Sequence, residues 1–161
     1  MTAARFRPKA PFTTTLEWYD YMKKATPDSL QYYLEDSFKK ITLYTNKVTK
    51  ASYKKLANGT YQVTIEVESA KEYFDGNGKL LAKGNKPNLL EIAVFDNDTQ
   101  NKQGMTVTAP LVIEKVWVKP GKSTFSYITK KLPVKAGIDP FNKMIDRIPD
   151  DNIKTVEEIV K

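Results

Sequence analysis

The chain contains no cysteine and no histidine among its 161 residues. Without cysteine it can form no disulfide, no thiolate nucleophile and no cysteine metal site. Without histidine it cannot build a Ser-His-Asp triad, a Cys-His pair, a zinc-binding H-E-x-x-H helix or a histidine general base. Any catalysis would depend on carboxylates, lysine or tyrosine, so we expect a chain that is not itself an enzyme.

Arginine is scarce. Arg5, Arg7 and Arg147 are the only arginines beside many lysines, and the net charge is +7. The lysines are scattered from Lys9 to Lys161 and interleaved with acids. Nucleic-acid-binding proteins usually cluster basic residues on one face and use arginine for bidentate contacts. We therefore expect a surface solvated by lysine and no nucleic-acid partner, with nucleic acid or anionic lipid as the less favoured alternative.

Long apolar runs are absent too. No segment approaches the roughly 18 consecutive apolar residues of a membrane-spanning helix, and the opening residues MTAARFRPKAPF lack the apolar core of a secretory signal. With 40% hydrophobic and 28% charged residues, the chain has the composition of one globular domain, with room for a helical appendage. The abrupt start favours a piece excised from a longer exported or membrane-bound protein.

Residues 13–40 show helical periodicity. The stretch TTTLEWYDYMKKA offers threonine caps, early acids and late lysines, which suit the two ends of a helix dipole. The stretch TPDSLQYYLEDSFKKI then places Thr26 as an N-cap before Pro27 at the first helical position, and its apolar residues recur at helical spacing. These patterns predict a helical hairpin.

From about residue 41 the apolar period changes to two. In NGTYQVTIEVESA apolar and polar residues alternate, which predicts a strand with one buried and one solvated face. Asn58-Gly59 predicts a hairpin with the preceding segment, and Pro110 is expected to break or bulge a later strand. Repeated strands without intervening helices predict an immunoglobulin- or fibronectin-like antiparallel β-sandwich of six or seven strands.

These patterns divide the chain into three parts. Residues 1–40 are the helical segment, residues 41–152 the sandwich, and residues 153–161 a short helix or a tail. The last assignment depends on apolar residues at helical spacing, namely Ile153, Val156, Ile159 and Val160.

Two stretches can be compared with calcium-binding loops, which need oxygen ligands at fixed offsets. The stretch DGNGK begins with Asp75 and Asn77 but has Lys79 at the third ligand position. The stretch DNDTQNKQG lacks the glycine of an EF-hand loop and the acid that should end it. Its positions are Asp96, Asp98, Gln100 and, at the end, Val107. We interpret both as polar turns and predict no metal site in this chain.

The acidic stretch GIDPFNKMIDRIPDDN, residues 137–152, allows two interpretations. In the first, Asp139 and Asp146 form a catalytic carboxylate pair within a cleft. In the second, the stretch is a structured exit from the last strand, with turns at its acids and its apolar side chains packed on the sandwich. We favour the exit and predict that Phe141 and Ile145 are buried against the sandwich.

Exposed aromatic side chains offer a different function. Trp18, Tyr73 or Trp117 could act as stacking platforms in a carbohydrate- or peptide-binding sandwich. Single aromatic residues in helices and strands are more often part of the core. We keep this binding module as the alternative function.

Three stretches, TPDSLQYYLEDSFKKITLY, NGTYQVTIEVESAKEY and KAGIDPFNKMIDRIPDDN, resemble the C-terminal region of a bacterial family common in Bacteroidetes. In that family a zinc aminopeptidase-like domain, related to aminopeptidase N, is fused to an ABC-transporter-type permease. The resemblance implies a fragment made of the last helices of the peptidase-like part and a C-terminal β-sandwich. The family's zinc ligands have no counterpart here, so zinc is expected only in the parent's catalytic domain.

The resemblance and the missing residue types together predict a non-catalytic accessory or interaction domain that packs on the peptidase-like domain of its parent. We expect no catalytic, cofactor-binding or metal-binding residue, no direct membrane insertion, and a protein or peptide partner. The resemblance also implies a membrane-associated bacterial parent, with the extracytoplasmic side of the membrane favoured.

Overall fold

A computed structural model of the protein describes residues 14–96, 99–100, 106–107 and 110–159; of residues 99–100 and 106–107 it describes the backbone. The chain divides into two compact units, with the boundary between Ile41 and Thr42. Helices make up the first unit and strands the second.

Two short helices lie in the first unit. Helix α1 spans Thr15–Ala25 and helix α2 spans Gln31–Phe38, with a 3-10 turn at Asp28–Leu30 between them. Thr14 begins α1 with a capping box, in which its hydroxyl accepts the Glu17 N–H and the Glu17 carboxylate accepts the Thr14 N–H. The predicted helical segment is therefore present, and its threonine cap is confirmed.

The predicted role of Thr26 is wrong, because this residue ends α1 instead of beginning α2. Its backbone is extended, its hydroxyl donates to the Met22 carbonyl at 2.7 Å, and its N–H donates to the Lys23 carbonyl. The physical reason is Pro27, whose ring disfavours a helical conformation at the preceding residue. The chain therefore leaves the helix before Pro27 and re-enters it through the 3-10 turn.

The described residues contain eleven strands. Their bounds in chain order are β1 Ile41–Lys55, β2 Tyr61–Phe74, β3 Leu80–Lys83, β4 Asn88–Phe95, β5 Thr99–Gln100, β6 Thr106–Val107, β7 Pro110–Val118, β8 Gly121–Thr129, β9 Lys135–Ile138, β10 Ile153–Thr155 and β11 Glu157–Glu158. Of these, seven have four residues or more, which agrees with the six or seven strands predicted from the sequence.

The strands form two main sheets. The five-stranded sheet has the order β11-β1-β2-β3, and β8 pairs with the first part of β2. The four-stranded sheet has the order β10-β9-β4-β7, and β5 and β6 pair with each other. Strand β11 pairs with β1 in parallel, and an isolated parallel bridge joins Tyr44 to Asp146, whereas β10–β9, β2–β3, β2–β8, β4–β7, β4–β9 and β5–β6 are antiparallel. Consecutive strands β7 and β8 belong to different sheets, so the turn between them carries the chain across the sandwich.

The core lies between the two sheets and follows the period of two. Val63, Ile65 and Val67 of β2 are fully buried, while Glu66 between them is exposed. From the other sheet they meet the inner residues of β4, β7 and β9, which are Leu90, Ile92, Val94, Val118, Ala136 and Ile138. The predicted antiparallel β-sandwich is confirmed.

The predicted turns are also present. Gly59 has φ +81° in the turn that joins β1 and β2, where a side chain would be strained. Pro110 is the first residue of β7, and the register with β4 shifts beside it, between Val94 and Phe95. Proline has no N–H to donate to the sheet, and it is tolerated at the first residue of an edge strand such as β7.

The described part of residues 153–161 contains two short strands, Ile153–Thr155 and Glu157–Glu158, so the helix, one of the two alternatives given for this segment, is wrong there. Strand β10 extends the four-stranded sheet beside β9, and β11 extends the five-stranded sheet beside β1. Val156, between the two strands, is buried in the core. Pairing with open sheet edges satisfies backbone groups of both the tail and the edge strands, which outweighs a weak helical spacing.

Candidate interaction surface

Asp139 and Asp146, considered above as a carboxylate pair, both accept hydrogen bonds from backbone N–H groups. The two carboxylate oxygens of Asp139 accept the N–H groups of Lys143 and Met144, at 3.0 and 2.9 Å. Those of Asp146 accept the N–H groups of Asn46 and Ile148, at 2.7 and 3.0 Å. Each of the four oxygens is thus engaged by a backbone amide, an arrangement that fixes turns and leaves little freedom for proton transfer.

Asp139 is the more buried of the two, with 2% of its surface exposed. Burial raises the pKa of its carboxyl group above the ordinary value, and the amides of Met144 and Lys143 partly offset this effect. The backbone of Asp139 has φ +44°, in the left-handed region that aspartate tolerates better than most residues. This residue therefore turns the chain sharply at the end of β9.

The burial predicted for Phe141 and Ile145 is wrong. Phe141 is 47% exposed and Ile145 is 68% exposed, and of the residues that follow β9 in this stretch it is Met144 that packs against the core. Two residues with left-handed backbone are the reason: Asp139 changes the direction of the chain, and Asn142, with φ +50°, breaks the helical spacing between Phe141 and Met144 on which the prediction depended. The stretch is still a structured exit from the last strand, but it is held by the packing of Met144 and by the hydrogen bonds of the two aspartates.

The first stretch compared with a calcium loop is a polar turn, as interpreted from the sequence. One carboxylate oxygen of Asp75 accepts the N–H groups of Asn77 and Lys79, both at 2.9 Å. In the second stretch, the carboxylate of Asp96 accepts a hydrogen bond from the Lys131 ammonium, with 2.9 Å between Oδ2 and Nζ. Its remaining positions lie outside the residues whose side chains the structure describes, namely Asp98, Gln100 and Val107. Among the described residues no group of three or more acidic side chains is placed to hold a metal ion.

The three candidate aromatic platforms lie on separate elements. Trp18 is on α1 and packs edge-to-face on Phe38, with ring centroids 5.1 Å apart. Tyr73 is partly buried on β2, with the Lys71 ammonium 5.7 Å from its ring centroid. Trp117 is on β7 in the other sheet and is 49% exposed. Tyr73 and Trp117 belong to different sheets, so they do not form one continuous platform.

Trp117 belongs to a larger apolar surface on the outer face of the four-stranded sheet. Paired residues of neighbouring antiparallel strands point to the same face. The register pairs Trp117 with Leu89, and it forms one row across all four strands from Ile113 through Ala93 and Gly137 to Ile153. The sheet is therefore apolar on both of its faces.

A turn at residues 139–143 folds back over the same outer face. At Gly137 an added Cβ would lie 3.2 Å from Cβ of Pro140 and 3.0 Å from Cγ1 of Ile153, so the turn and β10 lie directly against this glycine. Phe141 contacts Phe95 edge-to-face, with centroids 6.4 Å apart. We define the outer patch as the surface formed by Leu89, Ile113, Trp117, Phe141 and Ile153, with the buried Ala93 beneath it.

Charged side chains lie within and beside the outer patch. Glu91 of β4 is 7% exposed and forms an ion pair with the Lys143 ammonium above the sheet. Lys115 of β7 is opposite Glu91 in the register and exposed, and Lys135 of β9 follows on the same face. The face therefore carries three lysines and one acid among these positions.

The outer face of the five-stranded sheet has the opposite character. The register between β2 and β8 pairs Thr64 with Ser126, Glu66 with Thr124 and Glu68 with Lys122 on that face, where Ile128, opposite Gln62, is the apolar residue of these pairs. Such a face is readily solvated, as expected for the exposed side of an antiparallel sheet. The two outer faces of one sandwich thus differ sharply in polarity.

The outer patch was not among the predicted sites, although the sequence carries a signal for it. In NLLEIAVF, the sequence of β4, apolar residues occupy both odd and even positions, and this pattern is typical of a strand buried on both faces. The sequence of β7 adds Ile113 and Trp117, which are four residues apart and therefore on the same face of the strand. Which residues cover the second face depends on strand register, which the pattern alone does not specify.

Neither α1 nor α2, the helices of the described part of the chain, has the length and apolarity needed to cross a membrane. No family model, curated protein or solved structure matches the chain.

Proposed function

We propose that this chain is a non-catalytic interaction domain that binds a protein partner through the outer patch. The observation that carries this proposal is the contrast between the two outer faces of the sandwich. The paired residues of one face are mostly polar, whereas the other face exposes Ile113, Trp117, Phe141 and Ile153. An apolar surface of this kind on a folded domain usually marks an interface.

The composition of the patch suits protein recognition. Tryptophan is the residue type most enriched among those that dominate binding energy, and it contributes most when apolar neighbours exclude water around it. Trp117 has Leu89 directly opposite on β4 and Ile113 on the same face of its own strand. A partner covering this region would desolvate one large aromatic side chain within an apolar surround.

The larger context of the domain follows from the resemblance and is part of the proposal. We infer an accessory domain of a larger aminopeptidase-like, transporter-associated membrane protein, in which the outer patch packs on the peptidase-like domain of the same chain. Zinc would then belong to that other domain, and membrane association would come from the permease part.

The experiment supplies the remainder of the parent chain in trans and measures its binding to this domain by calorimetry. Trp117→Lys and Ile113→Lys are each expected to weaken binding by about tenfold or more, because each places a charge in a desolvated centre. Thr124→Lys is the matched control, since it adds the same charge on the polar outer face. Equal binding by all three variants and the wild type would contradict the proposal.

The carbohydrate- or peptide-binding alternative is favoured by one observation, the half-exposed indole of Trp117. A glycan array and a peptide titration test it, with Trp117→Ala as the variant that should abolish any signal. Turnover by the isolated domain in aminopeptidase or esterase assays, with and without zinc and abolished by one substitution, would instead establish an enzyme.

A further inference from the structure

The charges on the outer patch indicate what kind of partner it fits. We propose that the partner presents an apolar surface rimmed with carboxylates, which the lysines of this face contact. This inference rests on the proposed function and adds the chemical class of the partner. It is carried by Lys115, Lys143 and Glu91, which the strand register and the fold-back turn place on the outer face.

Among the described residues of this face, the acid Glu91 is hidden, whereas the side chains of Lys115 and Lys143 are exposed. The Glu91 side chain is 8% exposed, whereas the Lys143 side chain that pairs with it is 55% exposed. The exposed Lys115 stands opposite Glu91 on the edge strand β7. An approaching molecule therefore meets ammonium groups around the apolar side chains, and the potential there favours a surface of negative charge.

A second copy of this chain is a poor occupant for the same reason. Two outer patches facing each other would bring lysines of like charge together, and each chain carries a net charge of +7. The partner that we propose is therefore a different protein surface, apolar in the centre and acidic at its rim.

The sequence allows a direct optical test, because Trp18 and Trp117 are the two tryptophans of the chain. A Trp18→Phe variant leaves Trp117 as the reporter in the outer patch. The probes are two synthetic peptides with the same alternating leucine and valine residues, one with glutamate and the other with lysine at every polar position. Each peptide is titrated while the emission of Trp117 is followed.

The glutamate peptide should shift the emission of Trp117 to shorter wavelength and bind on the order of fivefold more tightly than the lysine peptide. Added salt should reduce this preference. In the same background, Lys115→Glu should weaken binding of the glutamate peptide by about fivefold. The change in the logarithm of Kd caused by Lys115→Gln should be about half as large. Lys122→Glu, with the same charge change on the polar outer face, should alter binding by less than about twofold.

Several outcomes would overturn the inference. They are equal binding of the two peptides, tighter binding of the lysine peptide, no binding of either, and equal effects of the substitutions at Lys115 and Lys122. The proposed function has its own readout, the loss of binding to the parent chain by Trp117→Lys. If that loss is observed while the peptides show no preference, the interface stands and the acidic partner does not.

Discussion

The carboxylate of Asp146 accepts the backbone N–H of Asn46 at 2.7 Å and thereby joins two residues that are 100 positions apart. Around this bond, the N–H of Tyr44 donates to the carbonyl of Ile145, and the N–H of Arg147 donates to the carbonyl of Tyr44. The acidic stretch is therefore hydrogen-bonded to the first part of β1. Its aspartates stabilise the path by which the chain leaves β9, contacts β1 of the five-stranded sheet and returns to β10 beside β9.

Replacing Asp146 with alanine should destabilise the domain. The amides of Asn46 and Ile148 would lose their charged acceptor, and a loss of about 1–3 kcal/mol in the free energy of unfolding is expected. Urea denaturation measures it as a lower midpoint with an unchanged slope. Asp150→Ala, at a nearby exposed position, is the control and should remain within about 0.5 kcal/mol of the wild type. A wild-type midpoint for Asp146→Ala would contradict this role.

The stability of the domain should depend on the titration of Asp139. Burial raises the pKa of this carboxyl group above its ordinary value of 3.8. The folded protein therefore holds this proton more strongly than the unfolded chain does. The stabilisation is complete below pH 3.8 and is lost as the pH rises through the folded pKa.

The measurement is the free energy of unfolding of the wild type and of Asp139→Asn from pH 3.5 upward, about where aspartate begins to titrate. Asparagine tolerates the positive φ and does not titrate, so its curve should lack the contribution of Asp139. The stability of the wild type relative to the variant should decrease with rising pH. A difference that stays constant with pH, or grows as the pH rises, would be inconsistent with the raised pKa.

Local patterns in the sequence were sufficient for much of the fold. The threonine cap of α1, the alternation in β2 and the turn at Gly59 all depend on residues within a few positions of each other. Each was predicted and each is present. These features follow from helix capping, from the pleat of a strand and from the freedom of glycine, which act over short distances.

The features that sequence analysis missed depend on contacts between distant segments. Val156 is buried because the tail passes between two sheet edges, although its helical spacing favoured a helix. Phe141 is exposed because Asp139 turns the chain before it. The outer patch likewise depends on the register of β4 with β7 and β9, which brings Trp117 and Ile153 to one face. Periodicity shows that β4 is apolar on both sides but does not identify its neighbours.

Gly137 should be intolerant of a side chain, because the outer face is closely covered there. An alanine Cβ would lie 3.0 Å from the Asn152 carbonyl oxygen and 3.0 Å from Cγ1 of Ile153. Since a backbone atom is one of these neighbours, Gly137→Ala should cost about 1–3 kcal/mol in the free energy of unfolding. Gly76→Ala is the matched control, since nothing lies within 4 Å of its added Cβ. Equal thermal midpoints for the two variants would show that β10 and the fold-back turn are less tightly packed on β9 than described.

The tail should contribute to stability through Val156. This side chain is buried in the core, and its N–H donates to the Val134 carbonyl at 2.9 Å, while the N–H of Ile159 donates to the Tyr53 carbonyl at 2.9 Å. Val156→Ala should lower the free energy of unfolding by about 1–3 kcal/mol, because it removes buried methyl groups and leaves a cavity. Ile159→Ala, at a half-exposed position, should cost less.

Hydrogen exchange followed by NMR gives an independent measure of the same tail. The amides of Val156 and Ile159 should both be protected, because the first donates to Val134, just before β9, and the second to Tyr53 of β1, and Val156→Ala should reduce the protection of both. Rapid exchange at both positions in the wild type, or a Val156→Ala variant as stable as Ile159→Ala, would mean that the tail does not hold the two sheets together. Protection of the two amides with a large cost for Val156→Ala would instead establish the tail as the last pair of edge strands in the fold.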